Sequence, residues 1–202
     1  MPNDFYPNDE GTEESFVFMA LLEGRKPCNG CVDYNEDIIA TIDCLRALGA
    51  EVATDKDVVT VNPGGFMKKE PQILNCRESG STLRFMIPLC LLHGGTAHLA
   101  GKSRLFERPL SVYEAICHEQ NLGWQIESNR LTVSGNLRGG EFYVPGNISS
   151  QFISGMLFAL PLLTMDSKIT ITGNFESRSY IDLTVAALKN FGVRVEFSQD
   201  NI

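Results

Sequence analysis

The strongest constraint on the fold of this 202-residue chain is a pattern that occurs three times along it. In each copy an apolar helical segment closes on a glycine and leads into the alternating residues of a strand. The glycines are Gly49, Gly123 and Gly192, at spacings of 74 and 69 residues. Glycine suits the position after a helix because positive φ costs it little. A period this long predicts three copies of one α+β unit rather than a short-repeat solenoid.

Apolar periodicity predicts two helices in each unit. One is the amphipathic helix before the glycine. The other, at roughly 14–22, 79–92 and 150–163, is apolar nearly all round in two units, as expected of a buried helix. With the strand candidates between them, the last at 194–197, the order in each unit is close to β-α-β-α-β-β. We therefore expect an α+β fold, a single domain of three such units with helices buried inside and sheets outside, covering residues 15–202.

The charge distribution excludes several classes of function. The chain carries 17 Lys and Arg against 25 Asp and Glu, a net charge of −8, so it offers no broad basic face to a nucleic acid. Residues 1–14 form an acidic, irregular segment that lacks the basic start and apolar run of a signal peptide. The longest apolar stretch, Met156–Leu163, is too short to span a membrane. We expect a cytoplasmic protein that binds neither nucleic acid nor membrane.

The cysteines and histidines do not predict a metal site or a redox centre. Cys28 and Cys31 form a CxxC, but a zinc site needs about four ligands, and no second CxxC or HxxxH occurs. A redox CxxC usually opens a helix after a strand, whereas Pro27 and Gly30 predict a turn here. No G-x-G-x-x-G or P-loop follows a predicted strand, which argues against a nucleotide-binding fold.

Two of the buried helices begin with runs of hydroxyl side chains, ESGSTLR at 78–84 and NISSQF at 147–152. A helix N-terminus binds anions readily, because it presents unpaired N–H groups and the positive end of the helix dipole. Serine and threonine could add donors to a phosphate, and Gly80 would let a ligand approach the backbone. Alternatively, the hydroxyl groups only cap their helices. Because two such runs stand at equivalent positions of the repeat, both interpretations stay open.

Basic and aromatic side chains follow where an anion would need them. Arg84 lies one turn into the first of these helices, and the loop 102–109 adds three more bases. An Arg guanidinium matches phosphate or carboxylate in a bidentate way, although the loop could also be a solvated basic patch. A third loop, 176–182, opens the last helix. There Tyr180 could lie on a substrate ring and Ser177 could offer a hydroxyl, or Tyr180 could simply pack.

Four strings together resemble the enolpyruvyl transferase family: SGSTLRF, ERPL, SSQFISGMLFALPLL and SRSYIDLTVAALKNFGV. The resemblance covers roughly residues 16–202. SSQF and SxxYID point to the branch that acts on shikimate 3-phosphate in aromatic amino-acid biosynthesis, with the UDP-N-acetylglucosamine branch as the alternative. The family fold has two domains, each of three β-α-β-α-β-β units around buried helices, with ligands in the cleft between them. The implied reaction transfers the enolpyruvyl group of phosphoenolpyruvate to the 5-hydroxyl of shikimate 3-phosphate, and it needs no metal or organic cofactor.

The resemblance also implies roles for individual residues. Those implied for the shikimate 3-phosphate site are Ser149, Ser150, Gln151, Ser177 and Tyr180. Gln151 would touch both ligands, and Tyr180 would lie against the shikimate ring. Those implied for the phosphoenolpyruvate site are Gly80, Ser81, Arg84 and Arg108. Gly80 and Arg108 would hold that ligand, and Arg84 would support the site from within its helix.

Three features depart from the family pattern. The Lys and Arg that the family carries near its first helix are absent from 7–15, where acids stand instead. Glu78 stands where many members have Asn, and we predict that it pairs with Arg77, Arg84 or Lys102. The chain also holds one of the two domains, so the acid and base groups of the other domain cannot be assigned. We expect a second domain as partner and no turnover by this chain alone; a non-catalytic module that binds phosphorylated ligands is the alternative.

Overall fold

The computed structural model describes residues 27–29, 35–55, 58–67, 73–175, 178–190, 192–196 and 202. The acidic segment 1–14, the predicted helix at 14–22, Cys31 and Ser177 lie outside these residues, and the domain boundary at residue 15 stays a prediction. The described elements in chain order are β1 (Pro27–Asn29), α1 (Glu36–Ala47), β2 (Glu51–Asp55), β3 (Val58–Asn62), β4 (Leu74–Asn75), α2 (Gly80–Cys90), β5 (Thr96–Ala100), α3 (Ser103–Phe106), α4 (Ser111–Glu119), β6 (Gly123–Ile126), β7 (Arg130–Ser134), β8 (Glu141–Pro145), α5 (Ser150–Ala159), β9 (Lys168–Thr172) and α6 (Arg178–Asn190).

The three units build versions of the same sheet. The second unit is the most complete, with strand order β4-β5-β7-β6, in which β4 and β5 are parallel and the other pairs antiparallel. The first unit repeats its antiparallel part as β1-β3-β2, and the third repeats its parallel pair as β8-β9. Ile202 extends the third sheet, because it and Ile169 exchange two backbone hydrogen bonds of 2.7 and 3.0 Å, an antiparallel pairing. Apart from the additional short helix α3, the predicted order is confirmed in the second unit and seen in part in the other two.

Helices α2 and α5 form the centre of the domain. Every residue of α2 except Ser81 is buried, and so is every residue of α5 from Phe152 to Ala159. The two helices approach closely: a Cβ atom on Gly155 would lie 2.7 Å from the carbonyl oxygen of Arg84. Strands β5, β8 and β9 alternate between buried and more exposed residues, as sheets do when one face covers a core. The α+β arrangement with buried helices and outer sheets is therefore confirmed.

The prediction that a glycine follows each amphipathic helix is wrong in the second unit. Gly49 and Gly192 have positive φ, at 95° and 78°, as expected. In the second unit this position is taken by Asn121, with φ 56°, because asparagine tolerates the left-handed region better than most residues. Gly123 instead opens β6, where a Cβ atom would collide with the hydroxyl of Ser134. Measured between the positive-φ residues Gly49, Asn121 and Gly192, the repeats are 72 and 71 residues long. The repeat is therefore more regular than the glycine spacings of 74 and 69 residues predicted.

Two further predictions are wrong. Residues 27–29 form strand β1, antiparallel to β3, rather than a turn. Pro27 is tolerated there because it is the first residue of its strand. The strand predicted at 194–197 is absent from its described part, 194–196. A strand needs a hydrogen-bonding neighbour, and Ile202 occupies the backbone groups of Ile169 in β9.

Within the described ranges, no helix combines the length and the apolar character that crossing a membrane requires.

Candidate substrate-binding site

The first turn of α2 is held by buried hydroxyl groups. Ser79 is the N-cap, and its oxygen accepts hydrogen bonds from the Thr82 N–H at 3.2 Å and the Thr82 hydroxyl at 2.8 Å. The Thr82 hydroxyl also contacts the Thr41 hydroxyl of α1 at 2.8 Å. Ser79 and Thr82 therefore cap and anchor the helix, which favours the capping interpretation for these two. Gly80 and the half-buried Ser81 complete this turn, and the Ser81 hydroxyl contacts the Ser79 hydroxyl at 3.1 Å.

Arg84 places a buried cation beside this turn. It is 8% exposed, and its Nη1 donates to Oε1 of Gln151 at 2.7 Å. Its guanidinium carbon lies 5.0 Å from the centre of the Phe152 ring. Burial is the main cause that lowers the pKa of Arg84, and the nearby charge of Arg108 lowers it further. Among the described residues no carboxylate pairs with Arg84, and its Nε has no hydrogen-bond partner. A buried cation without a counter-charge is costly and marks a candidate anion site.

The bond to Arg84 also sets the orientation of Gln151. A guanidinium can only donate hydrogen bonds, so the amide oxygen of Gln151 faces it and the amide NH₂ group faces away. Gln151 lies in the first turn of α5, where its N–H donates to the N-cap Ser149 at 3.3 Å. Ser149, Ser150 and Gln151 are all half-buried. The start of α5 thus presents neutral donors, one of them aimed by a cation from α2.

Arg108 brings a second guanidinium to α2. The residue is exposed, and a Cβ atom on Gly80 would collide with its Nη1 and lie 3.1 Å from Nη1 of Arg84. Glycine lets both guanidinium groups approach the backbone this closely, and a larger residue would require them to move. Two cations at a helix N-terminus make this turn chemically suited to a phosphate or a carboxylate.

Glu78 pairs with Lys102, one of the three predicted partners. Arg77 is engaged elsewhere, with Glu36 at 2.5 Å and Asp43 at 3.0 Å. The carboxylate beside the first turn of α2 is therefore compensated from the loop that follows β5.

The start of α6 is tied to α5. The Ser154 and Thr184 hydroxyls are 2.9 Å apart, and the Thr184 hydroxyl donates to the Tyr180 carbonyl oxygen at 3.0 Å. Tyr180 lies one helical turn before this contact and is 51% exposed. About half of the Tyr180 side chain is therefore accessible to a ligand, and its contact with a substrate ring stays a prediction. Ser177, the other residue predicted from this loop, lies outside the described residues.

Tyr113 is a supporting residue that the sequence did not single out. Its hydroxyl donates to the carbonyl oxygen of Phe152 at 3.1 Å, and their rings meet edge to face at 5.0 Å. Burial raises the pKa of Tyr113 well above its ordinary value, so it holds the start of α5 as a neutral donor. The available signal was a tyrosine within an apolar helical stripe, whose hydroxyl needs a partner once buried.

Four cysteines, Cys44, Cys76, Cys90 and Cys117, are buried and do not resemble reactive thiols. Burial raises the pKa of Cys117 to about 11, and it also raises that of Cys90. A thiol that stays protonated is a poor nucleophile and a poor metal ligand. In the described part of the chain, no group of three or more His, Cys, Asp or Glu side chains is placed to hold a metal ion.

Comparison with known proteins gives a consistent result. The family model described as EPSP synthase (3-phosphoshikimate 1-carboxyvinyltransferase) matches residues 11–202. Relatives named 3-phosphoshikimate 1-carboxyvinyltransferase are 40% identical over 193 residues in Clostridium perfringens (strain SM101) and 44% identical over 198 residues in Clostridium beijerinckii. Each match covers 94% of this chain and 45% of the relative. A solved EPSP synthase from Acinetobacter baumannii shares the fold, with a TM-score of 0.78 at 22% identity over 98% of this chain and 45% of the other. The chain spans about half the length of the curated relatives it matches.

Proposed function

The chain belongs to the EPSP synthase family, and on that premise we propose that it is the shikimate 3-phosphate-binding half of a 3-phosphoshikimate 1-carboxyvinyltransferase. In the proposed reaction the 5-hydroxyl oxygen of shikimate 3-phosphate bonds to C2 of phosphoenolpyruvate. The bond between C2 and the phosphate oxygen breaks, and inorganic phosphate leaves with the hydroxyl proton. The half-length match to the relatives supports a second domain as the partner that completes the cleft.

The 2.7 Å hydrogen bond between Arg84 and Gln151 carries this proposal. It joins the second turn of α2 to the first turn of α5, the two buried helices whose starts carry the hydroxyl runs. Two anionic substrates that react together need several donors in one place, fixed before they bind. The junction supplies helix N-termini, guanidinium groups and an oriented amide, which Arg84 links through its contacts with Gly80 and Gln151.

The two sides of this junction suit the two substrates differently. At the start of α5, Ser149, Ser150 and Gln151 are proposed to bind the phosphate of shikimate 3-phosphate. Ser177 and the exposed Tyr180 would add a hydroxyl and a ring surface from the start of α6. At the start of α2, the proposed phosphoenolpyruvate ligands are Gly80, Ser81 and Arg108, with Arg84 supporting both sides.

The test is titration with shikimate 3-phosphate followed by amide chemical shifts. We expect a dissociation constant near or above ~1 mM, because the proposed donors at 149–151 are only half-buried and each bond to the ligand competes with water. Shifts should centre on 149–151 and weaken in Ser149→Ala, whereas Ser128→Ala, in the exposed β6–β7 turn, should behave as wild type. An absence of shifts at 149–151 at tens of millimolar ligand would contradict the proposal.

A second candidate is a module that binds phosphorylated ligands without chemistry. It is favoured by the acidic segment 7–15, which lacks the family's Lys and Arg. Mixing the chain with the second half of the Clostridium beijerinckii relative separates the two, because transition-state groups act only when assembled. Turnover by the mixture, with none by the chain alone, supports the transferase. Binding without turnover supports the module. The cytoplasmic location stays a prediction in either case.

A further inference from the structure

A carboxylate stands at the entrance to the first turn of α2. Glu78 directly precedes the N-cap Ser79, its side chain is exposed, and it pairs with Lys102. Lys102 is the main cause that lowers the pKa of Glu78, and the charges of Arg104 and Arg108 lower it further. Glu78 is therefore within electrostatic reach of the same guanidinium that the proposed ligand would use.

The pairing of β4 with β5 places Lys102 beside Glu78. Strands β4 and β5 run parallel, with Asn75 opposite Ala100, so the loops after both strands leave the sheet side by side. Two backbone hydrogen bonds continue this pairing beyond the strands, from the Cys76 N–H to the Ala100 oxygen at 2.8 Å and from the Lys102 N–H to the Arg77 oxygen at 2.9 Å. The loop carrying Lys102 is thereby anchored beside the loop carrying Glu78.

Unlike Lys102, which pairs with Glu78, Arg108 is available to bind an anion. Its guanidinium lies against Gly80, and within the described ranges no carboxylate is at ion-pair distance from it. Without Lys102, the charges of Arg104 and Arg108 still act on Glu78, whereas the adjacent Arg77 is engaged with Glu36 and Asp43. A pair between Glu78 and Arg108 would occupy the guanidinium and place a negative charge where an anion is to bind.

From this geometry, and resting on the proposed function, we propose that Lys102 is a positioning residue. It holds Glu78 away from Arg108 and so keeps the first turn of α2 open to the phosphate or carboxylate of the substrate. Its effect passes through Glu78, so it should vanish when Glu78 is neutral.

A double-mutant cycle with inorganic phosphate as the probe tests this. The affinity of the full chain is measured for wild type, Lys102→Met, Glu78→Gln and the double variant. We expect Lys102→Met to weaken phosphate binding about threefold to tenfold in the wild-type background and by less than about 1.5-fold in the Glu78→Gln background. Both side chains are exposed, so each variant should keep the fold, which a thermal melt checks.

Arg104→Met is the matched control, because Arg104 is a cation near Glu78 that is not its ion-pair partner. Its loss should weaken phosphate binding by the same small factor, less than about 1.5-fold, with or without Glu78. High salt should reduce both effects, since the groups are exposed.

The proposal is overturned if Lys102→Met weakens binding equally in both backgrounds, because Lys102 then acts on the anion directly. It is also overturned if Lys102→Met has no effect, or if none of the four proteins binds phosphate at 100 mM or so. The probe contains no shikimate group and the assay needs no second domain. Failure of this coupling is therefore distinct from failure of shikimate 3-phosphate to shift residues 149–151.

Discussion

The starts of α2 and α5 occupy equivalent places in the repeat but are built from different chemistry. At α2 the hydroxyl groups of Ser79 and Thr82 are buried and used by the protein itself, and the exposed chemistry is cationic. At α5 the serines and Gln151 are half-buried and neutral, and the cation that contacts Gln151, Arg84, is supplied by α2. One architectural position can therefore be a charged anion site in one unit and a neutral, oriented donor site in another. A single arginine couples the two.

The largest effect is expected from breaking the helix contact that makes this coupling possible. Gly155→Ala would place a methyl group 2.7 Å from the Arg84 carbonyl oxygen and against the Tyr113 hydroxyl. Because a packed core resists insertion, we expect a loss of about 2–4 kcal/mol of unfolding free energy by urea denaturation. Gly64→Ala, at an exposed turn, is the control and should change stability by less than about 1 kcal/mol. Equal losses in both variants would show that the helix approach is not tight.

The second-largest effect is expected at Arg84, where a substitution should weaken ligand binding without lowering stability. Arg84→Met removes a charge-assisted hydrogen bond of roughly 1.5–3 kcal/mol to Gln151. It also removes a buried cation that has no counter-charge among the described residues, so the melting temperature should stay the same or rise. Shikimate 3-phosphate binding should fall by about tenfold or more and escape detection by amide shifts. A protein that melts much earlier, or that binds as wild type, would contradict the positioning role of Arg84.

The two capping serines sharpen the comparison further. Ser79→Ala should cost about 1–2 kcal/mol of stability, because Ser79 accepts two hydrogen bonds in a buried place, and should leave shikimate 3-phosphate binding unchanged. Ser149→Ala should cost about 0.5–1 kcal/mol and also weaken binding. Thermal melts and chemical-shift titrations of both variants measure this. If Ser79→Ala weakened binding and Ser149→Ala did not, the binding role proposed for the start of α5 would be wrong.

The smallest effect expected is a pH dependence at Glu78. Its pKa in the folded chain is lowered, first by Lys102. A lowered folded-state pKa means that the carboxylate stabilises the fold above its ordinary pKa, and that this contribution is lost as the pH falls through the lowered value. The melting-temperature difference between wild type and Glu78→Gln should therefore shrink from pH 6 to pH 3. Glu107→Gln, a variant in the loop after α3, is the control. A melting-temperature difference between wild type and Glu78→Gln that grows toward pH 3 would contradict the prediction.

How far the sequence predicted this structure depends on the range of the interactions involved. The helix ends at Gly49 and Gly192 were predictable because the need for positive φ arises within a few residues. Gly123 was misassigned because the neighbouring Asn121 can adopt the same conformation, and local preference does not choose between them. The hydroxyl runs were found, but whether each hydroxyl caps or stays available depends on what covers it.

The amino-acid sequence by itself determined the repeated unit, its buried helices and the family, since periodicity, caps and motifs are short-range properties of the chain. Only the tertiary structure decided which charges meet. Three cations were equal candidates to pair with Glu78, and the parallel pairing of β4 with β5 selected Lys102. Arg84 and Gln151 lie 67 residues apart, and they meet because a glycine lets two buried helices approach each other. Such contacts depend on backbone placement across the whole domain, which no local pattern of residues encodes.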